Sequence, residues 1–170
     1  SESKLLHRII NVCLALLVVI FVIQAAGLGV RWYLTGHAPW SNGYEAIVFI
    51  SWISVLAGLL LYKNRNAFIP ITGAMVAVIM MGFAHGGSML DPQITPLVPV
   101  LKSYWLIVHV AIIVSSYGFF GLSAILGVFS LIIMLIKPNK KIEISLKEMT
   151  YVSEMSLTIG IYLLAVGTFL

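Results

Sequence analysis

Apolar residues occur along this chain in five long stretches that are separated by shorter polar segments. The stretches cover residues 9–30, 44–62, 68–84, 105–136 and 151–170. A helix needs about 20 residues to cross the hydrocarbon core of a bilayer, and each stretch is close to or above that length. The pattern therefore predicts an all-α, polytopic bundle of five transmembrane helices that forms a single domain over residues 1–170.

The composition supports a membrane protein and changes how the charge is interpreted. Hydrophobic residues make up 61% of the chain and charged residues only 9%, whereas about 25% of a soluble domain is charged. We therefore expect the lipid bilayer to be the solvent of this chain. The net charge of +4 is then informative through its position relative to the membrane, and no nucleic-acid partner is expected.

Basic residues are distributed unevenly between the two sides that five crossings define. One side carries eight of them: Lys4, Arg8, Lys63, Arg65, Lys137, Lys140, Lys141 and Lys147. The other side carries Arg31 and Lys102. Cytoplasmic segments of membrane proteins are enriched in lysine and arginine, so we expect the N-terminus to be cytoplasmic and Leu170 to lie on the outer, periplasmic side.

The four histidines are the candidate ligands of a metal or of haem. The predicted topology puts His7 in the cytoplasm and His37, His85 and His109 at or near the outer surface. Neutral imidazoles on neighbouring helices can hold haem iron, and they also bind zinc or copper. An interfacial histidine that bonds a backbone carbonyl is the alternative for each of them.

Two acidic residues near these histidines have two possible roles. Glu45 and Asp91 lie in the predicted outer connections, where their carboxylates are able to bind a metal together with His37 or His85. We expect them instead to cap helices or to face water, since acidic side chains favour helix N-termini.

His109 is the strongest candidate because it lies inside the apolar fourth stretch. A polar ring in hydrocarbon costs free energy unless it is hydrogen-bonded or ligated.

Small residues follow at every third position of this stretch: Ser115, Gly118, Gly121, Ala124, Gly127 and Ser130. Such a ridge predicts close packing against another helix, and a channel for a cofactor is the alternative.

Two segments of the chain resemble the CcsA (ResC) cytochrome c-type biogenesis proteins, which belong to the same haem-handling group as CcmC and CcmF. Residues 36–45 contain Ser-Asn-x-Tyr-Glu and are followed by Trp52. Residues 96–110 match the family block Pro-Leu-Val-Pro-x-Leu-x-Ser-x-Trp-Leu-x-x-His-Val, with Tyr117 at the family's distance. The resemblance covers most of the chain.

The resemblance implies a function in which haem b is the cargo. The family is thought to move haem across the bacterial inner (cytoplasmic) membrane and to present it on the periplasmic face for covalent attachment to the CxxCH cysteines of apocytochrome c. It implies a CcsB/ResB-type membrane partner, separate or fused, and a cytochrome c synthase (haem lyase) activity. His109 matches the first of the family's two outer axial histidines, and no residue here is expected to be a catalytic acid or base.

One family feature does not occur in this sequence. The family has a tryptophan-rich loop between its two axial histidines, whereas the four tryptophans here are far apart: Trp32, Trp40, Trp52 and Trp105. We expect that loop beyond Leu170, so the chain is interpreted as the N-terminal part of a CcsA-like domain. The candidate haem ligands are then His109, from the motif and the topology, and His85, from the topology alone.

Two other classes of function stay open at this stage. One is a transporter or channel subunit in which His37, His85 and Asp91 line an entry for metal ions or protons. The other is a structural membrane subunit whose histidines are merely interfacial.

Overall fold

The computed structural model describes residues 2–62, 66–86, 103–136 and 140–170, and it consists of five helices. These are α1 (Glu2–Thr35), α2 (Gly43–Leu60), α3 (Phe68–Gly86), α4 (Tyr104–Leu135) and α5 (Lys140–Phe169). All five are long and apolar enough to cross a membrane, and the described ranges contain no strand. The predicted five-helix membrane bundle is confirmed.

The helices α1 and α5 begin earlier than the apolar stretches suggested. Lysine and glutamate are good helix formers, so a helix continues through charged residues that hydropathy alone does not count. Apolar stretches therefore mark only the part of each helix that is apolar enough to lie within a bilayer.

Consecutive helices run antiparallel and place most of the candidate residues at one end of the bundle. Gln24 of α1 donates to Ser51 Oγ of α2 at 2.7 Å, and Gly73 of α3 lies against Ser54 of α2. The end formed by the α1–α2 connection, the C-terminus of α3 and the N-terminus of α4 is called the His37 end below. Which side of the membrane it faces stays a prediction.

Helix α4 lies at the centre of the bundle. Its fully buried Leu122 and Leu126 belong to the hydrophobic core together with Met149 of α5 and Ile69 of α3. The predicted ridge of small residues does allow close packing, since a Cβ atom on Gly118 would lie 2.5 Å from the Ile53 side chain.

The ridge faces more than one neighbour, because positions three residues apart turn steadily around a helix. Gly121 packs against Val76 of α3, Gly127 lies close to Ser153 of α5, and Ala124 is exposed.

Serine side chains hold α4 to α5. Ser123 Oγ donates to the carbonyl of Ser153 at 2.9 Å, and Ser156 Oγ donates to the carbonyl of Phe119 at 2.8 Å. Small polar residues allow two membrane helices to approach closely and to exchange hydrogen bonds. Helix α5 therefore has a defined register on α4, which matters for the site described next.

The close contact between α2 and α3 yields a stability prediction. A Cβ atom on Gly73 would lie 2.6 Å from the backbone oxygen of Ser54, which cannot move without shifting α2. We expect Gly73→Ala to lower the free energy of unfolding by about 1–3 kcal/mol, as overpacking does. Thermal unfolding of the purified protein in detergent measures this.

The matched control lies on the same helix. A Cβ atom on Gly82 would meet nothing within 4 Å, and alanine favours a helix over glycine by up to about 1 kcal/mol. Gly82→Ala should leave the melting temperature unchanged or raise it. Equal destabilisation by both variants would contradict the close approach at Gly73.

Candidate functional site

The connection between α1 and α2 is a tightly folded loop that begins with a glycine. Gly36 has a φ of 69°, a left-handed conformation that glycine adopts without strain. Its N–H donates to the carbonyl of Trp32 at 2.9 Å, and Thr35 Oγ1 donates to the carbonyl of His37 at 3.0 Å. The chain therefore reverses direction within a few residues.

The carboxylate of Glu45 holds this loop to both helices. Glu45 is 1% exposed and accepts from Arg31 Nε at 2.7 Å and from the Ser41 N–H at 3.0 Å. Its own N–H donates to Asn42 Oδ1 at 2.8 Å, with Asn42 as the N-cap of α2. The arrangement is close to a capping box, in which the residue three after the cap reaches back to the chain before it.

Of the two roles expected for Glu45, the structure therefore shows the first, since its carboxylate lies buried at the start of its helix and does not face water. The antiparallel packing of α1 on α2 brings Arg31 within 2.7 Å of the carboxylate. A buried carboxylate needs such a partner, because an unpaired charge away from water is costly.

His37 is also buried in this loop. Its Nδ1 lies 3.2 Å from the carbonyl oxygen of Ala38 and 3.8 Å from Glu45 Oε2. Since a carbonyl only accepts, Nδ1 donates there. The described residues contain no group of three or more potential metal ligands, and Asp91 lies outside them.

Three of the four tryptophans, all except Trp105, belong to one row of aromatic rings. Trp32 meets Trp40 edge-on with ring centroids 5.5 Å apart, and Trp40 lies 4.7 Å from Phe49. Phe49 lies 6.0 Å from Trp52, which stacks on Phe21 at 4.9 Å. Sequence reasoning missed this aromatic row; the one signal for it was the i, i+3 spacing of Phe49 and Trp52 on α2.

Trp40 connects the loop to the beginning of α4. Its indole Nε1 donates to the carbonyl of Ile107 at 3.1 Å. A cavity of about 40 Å³ lies at this contact, lined by Trp40, Ser41, Leu106, Ile107 and Val110. Ligand pockets usually measure about 300–1,000 Å³, so this space is far too small for a porphyrin.

His109 lies near the start of α4, on the side that packs against α5. Residues at spacings of three, four and seven share one helix face, so His109 continues the face on which Ile113 lies against Gly167 and Phe120 against Gly160. His109 is one turn beyond the Gly167 contact, level with the last residues of α5. Its ring is partly buried.

The other histidines occupy different environments. His85 is exposed in the last turn of α3, and its Nδ1 lies 3.1 Å from the carbonyl of Met81. That bond leaves Nε2 as the nitrogen able to bind a metal, an arrangement that ligating histidines often show. His7 is exposed at the opposite end of the bundle, and no contact joins the rings of His85 and His109 within the described ranges.

Comparison with known proteins assigns this chain to a family. The family model described as Cytochrome C assembly protein matches residues 40–170. The chain belongs to the cytochrome c assembly family. The matched part includes Trp40, Glu45 and His109, whereas the whole of α1 precedes it.

Individual relatives agree with this assignment. Protein NrfI of Wolinella succinogenes is 40% identical over 154 residues, which cover 89% of this chain and 17% of the relative. The cytochrome c biogenesis protein CcsA of Coffea arabica is 35% identical over 129 residues, covering 74% of this chain and 39% of the relative. The protein of the same name from Mesostigma viride is 38% identical over 119 residues, covering 69% and 38%. The chain thus spans well under half the length of each.

The buried ion pair at the His37 end yields a second stability prediction. Glu45→Ala should lower the free energy of unfolding by about 3 kcal/mol, because the Ser41 N–H would lose its acceptor inside the loop and the half-buried Arg31 would lose the carboxylate that it pairs with. Thermal unfolding in detergent measures the change.

An exposed ion pair provides the control. Glu143 and Lys147 are 3.2 Å apart on α5 and largely solvent-exposed, so Glu143→Ala should change the stability by less than about 0.5 kcal/mol. A small effect of Glu45→Ala, comparable to that of Glu143→Ala, would contradict the central role of the Glu45 carboxylate.

Proposed function

We propose that this chain takes part in cytochrome c biogenesis by holding haem at the His37 end, with the His109 imidazole as an axial ligand of the iron. Membership of the cytochrome c assembly family supports the general role. The observation that carries the specific one is the placement of His109. Its ring makes no hydrogen bond to another described residue, although it lies on a helix of a membrane bundle.

The surroundings of His109 fit a ligand that other residues must help to enclose. The face it occupies is covered by α5 from Ser153 to Gly167, and His109 itself lies just past that cover. The small cavity at Trp40 does not include it. We infer that haem lies against this open face and that parts of longer family members complete its pocket, in accord with the tryptophan-rich loop that the resemblance places after α5.

His85 is proposed as a further ligand in the same region. It lies at the His37 end on α3, and its Nδ1 bond to Met81 would leave Nε2 directed to a metal. Because His85 is exposed and belongs to no matched block, we expect its contribution to be smaller than that of His109.

In this proposal the cargo is haem b and the acceptor is apocytochrome c with a CxxCH motif. Bound haem supplies vinyl groups to which the two cysteine thiols add. The residues of this chain hold and orient the porphyrin, which raises the effective concentration of the reacting groups. We propose that the whole protein is a cytochrome c synthase that works with a CcsB/ResB-type partner.

We also propose its location, the bacterial inner membrane with the His37 end in the periplasm. The uneven distribution of basic residues supports this orientation.

The ligand role of His109 is tested by substitution in the full-length protein that contains this sequence. We expect His109→Ala to reduce the haem that copurifies, seen as Soret absorbance per protein, at least tenfold, because an axial ligand is lost. The yield of holocytochrome c in the same cells should fall in parallel. His85→Ala should only shift the spectrum modestly.

Control and rival outcomes separate the classes of function. His7→Ala, at the opposite end of α1, should leave both readouts unchanged. Unchanged haem and cytochrome yield in His109→Ala would remove the ligand assignment and favour a structural subunit. Metal uptake that depends on His37 or His85 without any Soret band would favour a transporter.

A further inference from the structure

We infer that Trp40 is a positioning residue for His109, which it orients by fixing the first turns of α4. This inference rests on the proposed function, because it matters only if His109 binds haem. Its starting observation is the hydrogen bond of 3.1 Å from Trp40 Nε1 to the carbonyl of Ile107, two residues before His109.

A contact from outside helps to hold the beginning of α4, although a bond to a carbonyl does not replace a cap on the free N–H groups. The first N–H groups of a helix have no partner within it, and a capping side chain normally satisfies one of them. Ser103 is the N-cap of α4 but makes no side-chain capping bond. The next two side chains, Tyr104 and Trp105, are 76% and 65% exposed, so they do not anchor this turn in the core either.

Trp40 is hydrogen-bonded to α4 on the side opposite His109. Successive residues of a helix are about 100° apart, so Ile107 and His109 point about 160° away from each other around the axis. A bond at Ile107 therefore restricts rotation of the helix without covering the face that carries His109. The imidazole stays accessible while its direction is fixed.

The tryptophan is itself held firmly. Its ring lies between Trp32, at 5.5 Å, and Phe49, at 4.7 Å. The next residue, Ser41, donates its N–H to the buried Glu45 carboxylate. Glu45 is thus connected to Ile107 through Ser41 and Trp40, with a hydrogen bond at each end of this connection.

A second tryptophan provides a matched control. Trp52 Nε1 donates to the carbonyl of Phe21 at 3.3 Å, and its ring stacks on Phe21. Trp52 thus makes the same kind of bond in the same aromatic row, but its hydrogen bond and its stacking partner join α2 to α1 and not to the start of α4. Phenylalanine at either position keeps an aromatic ring, removes the N–H donor and reduces the size of the side chain by the same amount, so the two variants are matched in lost volume.

The experiment compares Trp40→Phe and Trp52→Phe in the full-length protein purified with its haem. We expect Trp40→Phe to lower haem retention about three- to tenfold, in line with one lost hydrogen bond, and to shift the spectrum of the reduced haem. Trp52→Phe should keep the wild-type spectrum and retention. Thermal unfolding in detergent should shift by similar amounts in both, which separates positioning from general packing.

The outcomes distinguish the two proposals. If His109→Ala leaves haem binding unchanged, the proposed function fails and the positioning role fails with it. If His109→Ala removes haem but Trp40→Phe has the wild-type spectrum and retention, the positioning role alone is wrong. Equal haem loss in both tryptophan variants overturns it as well. Should Trp40→Phe not accumulate in the membrane, Trp40→Leu and Trp52→Leu replace the pair, with the same criteria.

Discussion

The carboxylate of Glu45 is buried at the meeting point of α1, the α1–α2 loop and α2. It would be costly there without the Arg31 guanidinium and the Ser41 N–H, which supply charge and hydrogen bonds together. Because these donors come from different segments, satisfying one carboxylate fixes the loop relative to both helices. The position of Trp40, and through it the start of α4, depends on this arrangement.

Helix α4 connects this arrangement to the rest of the bundle through its packing contacts. Toward α2 and α3 it presents glycines against which Ile53 and Val76 pack closely, and toward α5 it presents serines that exchange hydrogen bonds. A membrane helix gains little from burying apolar groups, since lipid is equally apolar, so close packing and hydrogen bonds set its position. Helix α4, which carries His109, is therefore fixed by α2 and α3 on one side and by α5 on the other.

Much of the candidate site could be predicted from local sequence, and the rest depended on contacts between distant residues. The motif around His109 and the run Ser41-Asn42-x-Tyr-Glu45 could be recognised directly. The bond from Trp40 to Ile107 joins residues 67 positions apart, and no periodicity reports such a contact. For the same reason the burial of Glu45 and the aromatic row were not foreseen.

The sequence by itself determined the class of fold. The bilayer core offers no hydrogen-bond partners, so a spanning segment must pair its own backbone groups, and five apolar stretches of membrane-spanning length therefore form helices. The sequence also singled out His109 through its motif. Only the tertiary structure decided which faces of the helices meet, that Arg31 reaches Glu45, and that His109 lies level with the end of α5. Those features come from the packing of side chains across helices, which depends on shape and register and not on the hydropathy of any one segment.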